Sequence, residues 1–388
     1  MQPSVRKKSW MNRFIDTIEY WGNKLPHPFI LFGMLVVITL IGSWILSQAG
    51  CSITYMAASR TPGEPEKEVT IAVTNLLSGE NLRYLITKYP DIFIGYPPMK
   101  LVLVMMAATA FIEKTGFFGT FMKKYLLRAP RGLVTFAVVF VGVNSNLMSD
   151  AGTLFALTMG GIIFAALGRN PLIGVILGWA SSSGGFTANL FLAGTDALLA
   201  GITEGVVKEM GVAVDINPAM NYFFMASATF FLSVTLTLFT EKVVCRMVGD
   251  GDGKVNMALL EEHKLTADQE KGLRWAFYGF LFFLAVMAAL TVPSWAILRN
   301  AKGGFLPKSP FFAGIITLIA FFFVSTGLPY GVATGEIKKW KDIPRLVSAG
   351  LREAIPLLTT TMMAAVFIDM MNKSNIFKMV AVAGAEAL

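Results

Sequence analysis

The chain alternates long apolar runs with short polar intervals, and the runs have the length that crosses a membrane. Predominantly apolar stretches cover 29–47, 101–118, 222–244, 275–292, 311–332 and 355–371. Each is near the ~20 helical residues needed for about 30 Å of hydrocarbon, so the pattern predicts an all-α polytopic membrane protein. Two further runs are interrupted. The block 132–167 is split by Asn144-Ser145-Asn146-Leu147-Met148-Ser149-Asp150. The segment 172–202 carries Ser181-Ser182-Ser183-Gly184-Gly185-Phe186-Thr187-Ala188-Asn189 at its middle, with Thr195-Asp196 within two turns. Lipid cannot hydrate the backbone groups freed by such a sequence, which is tolerated only where the broken chain lines a protein-enclosed cavity. Broken helices of this kind form the solute and ion sites of secondary transporters.

Composition agrees with the pattern: 54% of residues are hydrophobic, 15% are charged, and mean hydropathy is +0.60, well to the apolar side of globular usage. The net charge of +8 raises nucleic acid as a partner. The bases instead cluster at the ends of apolar runs, without an aromatic-basic groove motif, so no nucleic-acid partner is expected. As topology signals, Arg6, Lys7, Lys8, Arg13 and Lys24 before the first run, and Lys123, Lys124, Arg128 and Arg131 after the second, mark cytoplasmic segments. The stretch 51–100 mixes bases with Glu64, Glu66, Glu68, Glu80 and Asp91 and reads as an external loop. Arg128, Arg131 and Arg169 flank the split block at both ends, which predicts a re-entrant helical hairpin over 132–168 with its tip at 144–152. Cys51 and Cys245 end different runs on opposite predicted faces, which argues against a disulfide. His27 and His263 lack Cys or His neighbours, and no metal site is expected. Asp250-Gly251-Asp252-Gly253-Lys254 has the alternating Asp of a calcium loop. Lys254 and Val255 stand where an oxygen ligand and the turn glycine are required, so it reads as a solvated turn.

Two internal similarities order the rest. Leu25-Pro26-His27-Pro28-Phe29-Ile30-Leu31-Phe32-Gly33 is echoed by Leu306-Pro307-Lys308-Ser309-Pro310-Phe311-Phe312-Ala313-Gly314, and Met106-Ala107-Ala108-Thr109-Ala110-Phe111-Ile112-Glu113 by Met362-Met363-Ala364-Ala365-Val366-Phe367-Ile368-Asp369. The segment after Glu113 is strongly basic and the one after Asp369 is not, while Lys338, Lys339, Lys341, Arg345 and Arg352 precede the last span. The copies are therefore inverted. The predicted organisation is a cytoplasmic N-terminus and interfacial helix over 1–28, a first repeat over 29–244, a polar cytoplasmic loop over 245–272, and further spans with the start of a second repeat over 273–388. The first repeat contains the hairpin 132–168 and the broken helix 172–202. The chain stops at Leu388 where a second hairpin is due, which reads as truncation within an incomplete second copy.

Asp196 is the strongest functional candidate. A carboxylate at mid-helix costs about 2.5–3.5 kcal/mol on insertion scales, so it faces a cavity or partner and there carries a coupling proton or orients an anionic solute. The alternative is a cap for its own helix. Thr195, Ser183, Gly184 and Gly185 complete this candidate solute and proton site, the glycines permitting close backbone approach at the break. Asn144, Asn146, Ser149 and Asp150 at the hairpin tip, with Thr187 and Asn189 from the break, offer oxygens that suit a hard cation such as sodium. The alternative is that they only satisfy one another. Na+ or H+ is the expected coupling ion, with no other cofactor. Glu113 and Asp369 read as snorkelling carboxylates, and Trp275, Trp295 and Trp340 as interfacial anchors.

Several of these motifs together resemble the p-aminobenzoyl-glutamate transporter (AbgT) family. They are Gly22-Asn23-Lys24-Leu25-Pro26-His27-Pro28-Phe29, Ser149-Asp150-Ala151, Gly168-Arg169-Asn170-Pro171, Gly184-Gly185-Phe186-Thr187-Ala188-Asn189-Leu190 with Thr195-Asp196, Asn221-Tyr222-Phe223-Phe224-Met225-Ala226-Ser227 and Pro329-Tyr330-Gly331-Val332-Ala333-Thr334. The resemblance spans nearly the whole chain. It implies a homodimeric secondary transporter of the bacterial inner membrane, with inverted repeats, two hairpins and an aqueous basin. The implied solutes are small anions, p-aminobenzoyl-glutamate for uptake or sulfonamide antimetabolites for efflux. It also implies that Asp196 belongs to the translocation site, with partners including a Trp and a Pro in a second hairpin and broken helix. A dicarboxylate or short-chain acid carrier of related architecture is the nearest alternative. In a different class, Asp150 and Asp196 could pair as an intramembrane aspartyl hydrolase, although the Gly-x-Gly-Asp pattern of such enzymes is missing.

Overall fold

The computed structural model describes residues 24–57, 67–186, 188–209, 216–305 and 309–386, with 14, 17, 18, 20, 22 and 214, and the backbone alone at 97, 98, 100, 149, 150, 208, 209, 353, 385 and 386. Its main elements are α1 (Pro28–Gln48), β1 (Ser52–Ala57), β2 (Lys67–Ala72), α2 (Gly79–Gly95), α3 (Pro97–Lys114), α4 (Phe117–Arg128), α5 (Val134–Asn144), α6 (Ser149–Ala166), α7 (Pro171–Gly184), α8 (Gly194–Glu209), α9 (Tyr222–Phe239), α10 (Ala267–Thr291), α11 (Ile315–Thr334), α12 (Asp342–Lys373) and α13 (Ile376–Glu386). Among the described residues six helical segments are long and apolar enough to cross a membrane, or seven with one bent pair counted as a span. The protein is thus an all-α polytopic membrane protein.

Two compact units divide the chain: Met1–Tyr96 with Pro356–Leu388, and Pro97–Ile355. In the first, Pro28 starts α1 with its preset φ, and His27 Nδ1 accepts the Phe29 N–H at 3.3 Å. The predicted external loop holds more structure than expected. Ser52–Ala57 and Lys67–Ala72 alternate polar and apolar residues and pair as an antiparallel hairpin, Ser52 opposite Ala72. Leu76, Val366 and Met370 form a small core with Val36, Leu40 and Tyr84, and the buried Ser43 hydroxyl accepts the Leu76 N–H at 3.1 Å. In the second unit α10 packs on α11, α3 on both α8 and α11, α6 on α7, and α5 on α7 and α9.

The span expected over 101–118 is not straight. It is a pair of helices bent by 56°, because Gly116 takes φ +81°, a left-handed conformation that costs other residues roughly 1–2 kcal/mol. Thr115 Oγ1 donates to Ile112 O at 2.6 Å and accepts the Phe117 N–H at 3.4 Å. The same turn recurs between α12 and α13. There Asn375 takes φ 64°, and Ser374 Oγ donates to Met371 O at 2.7 Å and accepts the Ile376 N–H at 3.2 Å. Turn geometry therefore equates Lys114-Thr115-Gly116 with Lys373-Ser374-Asn375. That is an offset of 374 − 115 = 259 residues, three more than the 369 − 113 = 256 of the sequence match. The two turns share this local geometry.

Glu113 and Asp369 do not snorkel. The Glu113 side chain is 8% exposed and pairs with Lys114 at 3.3 Å, and Asp369 accepts the Tyr84 hydroxyl at 3.3 Å. Trp275, Trp295 and Trp340 are all exposed.

Candidate functional site

The site grows from three antiparallel or parallel helices packed unusually close. α5 has only 11 residues, about 16 Å at 1.5 Å per residue, and turns through Ser145–Met148 into α6. Val138 of α5 lies beside Gly160 of α6, so the predicted hairpin forms. α6 then runs antiparallel to α7 at a distance that only glycine allows. A Cβ on Gly160 would lie 2.3 Å from the Gly174 carbonyl oxygen, and one on Gly178 would lie 2.2 Å from that of Ala156. Small residues at such positions let helix backbones touch where no hydrophobic force draws helices together in lipid.

α7 begins at Pro171, where Asn170 Oδ1 accepts the Leu172 N–H at 3.0 Å, and stops at Gly184. The chain is then irregular until α8 starts at Gly194. With 14 and 16 residues, neither helix reaches the ~20 required to cross alone, so the broken helix predicted over 172–202 is present. The freed backbone is met by side chains from the hairpin tip. Asn144 Oδ1 accepts the Leu190 N–H at 2.9 Å while its nitrogen donates to Phe140 O at 2.8 Å. Asn146 Nδ2 donates to Gly185 O at 3.2 Å. Asn189 is fully buried, and with its amide turned to the orientation that suits its neighbours the nitrogen donates to the carbonyls of Val143 at 3.2 Å and Ala188 at 3.3 Å. Beneath them Ser145 Oγ donates to Ser182 Oγ at 3.0 Å, which lies 2.8 Å from Thr153 Oγ1.

Asp196 sits in the first turn of α8, 6% exposed. Its Oδ2 accepts the Ala193 N–H at 2.7 Å, so the carboxylate does reach back and cap the helix that carries it. Thr195 Oγ1 is buried with no hydrogen-bond partner among the described residues. Ser183 and Gly184 are exposed, and a Cβ on Gly184 would meet nothing within 4 Å. The close approach expected of both glycines belongs to Gly185 alone, where a Cβ would lie 2.8 Å from Ser181 O and 2.9 Å from Val143 Cα. The tip therefore brings Asn144, Asn146 and Asn189 together. Thr187 and the side chains of Ser149 and Asp150 lie outside the described residues. Thr153 and Ser182 were missed as members of this network. Their signal is a hydroxyl on an otherwise apolar helix, which has no meaning until the partner helix is known.

The base of the hairpin is clamped. Arg169, between α6 and α7, donates Nε to Asp250 Oδ1 at 2.8 Å, Nη1 to Glu241 Oε1 at 2.8 Å and Thr135 Oγ1 at 2.7 Å, and Nη2 to Cys245 Sγ at 3.3 Å. Glu241 also accepts the Thr135 hydroxyl and stands in a π-helical turn, Thr240–Val244, that prolongs α9. Burial works against the guanidinium charge, but its hydrogen bonds to Asp250 and Glu241 outweigh this and hold its pKa above the ordinary value. Glu241, Cys245 and Asp250 have ligand-like spacing, but the position a metal would take is filled by this cation. Nor is 250–254 only a solvated turn. Asp250 O accepts the Asn170 N–H at 2.9 Å, and Gly253 N–H donates to Gly168 O at 2.9 Å.

A helical hairpin packed on a broken helix, with carboxamides meeting the freed backbone, defines a multi-span membrane protein with a polar centre at a helix break, an arrangement that secondary transporters use for their solute sites. The chain belongs to the AbgT transporter family, whose model matches residues 13–388. It is 32% identical over 379 residues to the p-aminobenzoyl-glutamate transport protein of Escherichia coli (strain K12), covering 98% of this chain and 72% of that one. Among solved structures it is similar to Neisseria gonorrhoeae MtrF, described with a class of antimetabolite efflux pumps, at TM-score 0.88 and 32% identity over 97% of this chain and 75% of that one. It is also similar to the Alcanivorax borkumensis YdaH transporter, reported to have an unusual topology, at TM-score 0.82 and 27% identity over 93% and 73%. The protein is a transporter and not an enzyme, which removes the paired-aspartate hydrolase reading.

Proposed function

We propose that the protein is an ion-driven secondary transporter of the bacterial inner membrane, with a cytoplasmic N-terminus, working as a homodimer on aromatic carboxylates of the p-aminobenzoyl-glutamate kind or exporting sulfonamide antimetabolites. Support for the solute comes from what the E. coli and N. gonorrhoeae relatives are named for. The observation that carries the site is the break at 185–193. A buried carboxylate, Asp196, caps α8 at one edge and the Asn144–Asn189 knot holds the other. Na+ or H+ couples to transport here, the proton on Asp196 or the cation among the oxygens of Asn144, Asn146 and Asn189. Asp196 thus has both roles weighed from its sequence. Capping positions it, and its charge tunes the site.

Counterflow of radiolabelled p-aminobenzoyl-glutamate in proteoliposomes, with Na+ and pH gradients imposed separately, tests this reading. We expect Asp196→Asn, which keeps an acceptor for the Ala193 N–H, to leave the protein folded but to abolish the gradient dependence of flux. Undiminished, still gradient-driven flux in Asp196→Asn would refute the role.

A further inference from the structure

Helices α4, α10 and α11 and the residue Phe191 enclose a cavity of about 380 Å³, inside the range of about 300–1,000 Å³ typical of small-molecule sites. Seven phenylalanines and two tyrosines line it. Their rings are ordered against one another: Phe121 and Tyr125 lie 4.8 Å apart, and Phe191 and Phe322 lie 6.2 Å apart with planes 7° from parallel. Such walls offer faces and edges to a flat aromatic guest.

Three polar side chains interrupt this lining: Lys124 from α4, Arg274 from α10 and Thr326 from α11. Neither cation has a hydrogen bond or ion pair with any described residue; Lys124 is half-buried and Arg274 is exposed at the edge of the cavity. Thr326 is 3% exposed and its hydroxyl is buried without a partner among the described residues, a state that costs about 1–3 kcal/mol when nothing binds there. Of the three, the buried Thr326 hydroxyl is the one that folding does not account for. At the inner end Phe118 and Ala276 are buried, whereas Tyr125 and Tyr278 are exposed, so the cavity opens on the side of the two cations.

We propose that this cavity binds an aromatic carboxylate, its ring between Phe121, Phe191 and Phe322, its carboxylate on Lys124 and Arg274, and a polar ring substituent on the Thr326 hydroxyl. The proposal rests on the aromatic-anion reading above and gives that solute a place distinct from the polar knot. It also supplies a link between the two. Phe191 follows Leu190, whose N–H is held by Asn144, and precedes the Asp196 helix by three residues. A ring that enters beside Phe191 therefore acts directly on the break.

Photolabelling with p-azidobenzoate tests this, using the whole protein in phosphatidylcholine vesicles and mapping labelled peptides by mass spectrometry. Label is expected on peptides containing Phe121, Tyr125 or Tyr278, protected by p-aminobenzoate and not by uncharged p-aminobenzamide. The double variant Lys124→Gln with Arg274→Gln should lose labelling by roughly tenfold or more, since two charge-assisted contacts go, and Lys124→Arg with Arg274→Lys should restore most of it. A thermal melt of each variant shows that it folds. Label that is absent, falls on 185–196, is equally protected by the amide, survives in the double Gln variant, or is displaced only by phosphatidylglycerol in the vesicle would overturn the cavity assignment. Expected labelling without counterflow of p-aminobenzoyl-glutamate would keep the cavity and remove the transport reading. Counterflow with label at the break would do the reverse.

Discussion

At the break between α7 and α8 the polar groups are bonded to neighbours almost throughout, whereas in the cavity lined by α4, α10 and α11 two cations and a hydroxyl are not. Asn144 spends both ends of its amide on Phe140 and Leu190, and Asn146 and Asn189 are likewise committed to carbonyls. Among the described residues there, Thr195 Oγ1 is buried without a partner and Ser183 is exposed. The half-buried Lys124, the exposed Arg274 and the buried Thr326 line the same cavity as the aromatic rings and have no hydrogen-bond partner among the described residues. A polar residue in a membrane protein thus has two distinct reasons to exist. One repairs the backbone that a broken helix leaves unpaired; the other waits for something that is not protein. Hydrogen-bond accounting separates them where residue type cannot.

If the break is held by packing as well as by amides, the glycine contacts of the hairpin are the place to break it. Gly174→Val puts a side chain where the Gly160 carbonyl oxygen is 2.2 Å away. It should give the largest loss, seen as a collapse in monodisperse yield and thermal stability in detergent. Removing one side of the clamp comes next. Arg169→Ala leaves Glu241 and Asp250 facing each other, and because both carboxylates are partly exposed the cost should be on the order of 1–3 kcal/mol rather than that of a fully buried pair. Thermal melts at low and high salt would check it, with the gap from the parent narrowing at high salt.

Asn144→Ala strips the Leu190 N–H of its acceptor. A loss of about 1–3 kcal/mol is expected, with faster hydrogen exchange confined to 185–193. The two neighbouring glycines give a sharper contrast. Gly185→Ala should destabilise, because Ser181 O and Val143 stand within 2.9 Å of the new Cβ. Gly184→Ala, in open space at the end of a helix, should be neutral or stabilising by up to about 0.5–1 kcal/mol. Melting temperatures of the pair decide it, and equal effects would mean that the break is not the tight junction described.

The smallest effect concerns pH at the start of α12. Asp342 accepts the N–H groups of Lys339 at 2.8 Å and Lys338 at 3.0 Å, and these bonds hold its carboxyl below the usual carboxylate range. A depressed folded value means that the contribution is present above the ordinary carboxylate pKa and is lost as pH falls through the folded value. The melting difference between the parent and Asp342→Asn should therefore shrink on acidification below about pH 4. A difference that is constant with pH would show that the cap does not depend on charge.

Much of this was written in the residues. The run lengths foretold the spans, Pro28 and Pro171 mark helix starts, and the polar insertion at 181–189 foretold a break, because lipid leaves a chain no other way to satisfy such a sequence. What was misread failed for one reason, that several physical causes share a residue type. Gly184 and Gly185 are adjacent and alike in sequence, yet only one meets a neighbouring helix. Glu113 and Asp369 looked like snorkelling carboxylates until Lys114 and Tyr84 supplied partners. The two similar turns at Gly116 and Asn375 lie three residues out of step with the match of Ala, Met and Phe, because a backbone conformation is not carried by residue type alone.

By itself, then, the chain determined that it is helical, that it lives in a membrane, and where its helices are interrupted, since these follow from apolar length, proline and glycine placement and the cost of unpaired backbone in hydrocarbon. Only tertiary structure decided which polar groups are spent. Arg169 reaches residues 34 to 81 positions away, and Lys124, Arg274 and Thr326 become a single site only when three helices bring them around the same space. Hydrogen bonds and charges act over a few ångströms, and distance in space is what a linear sequence does not carry.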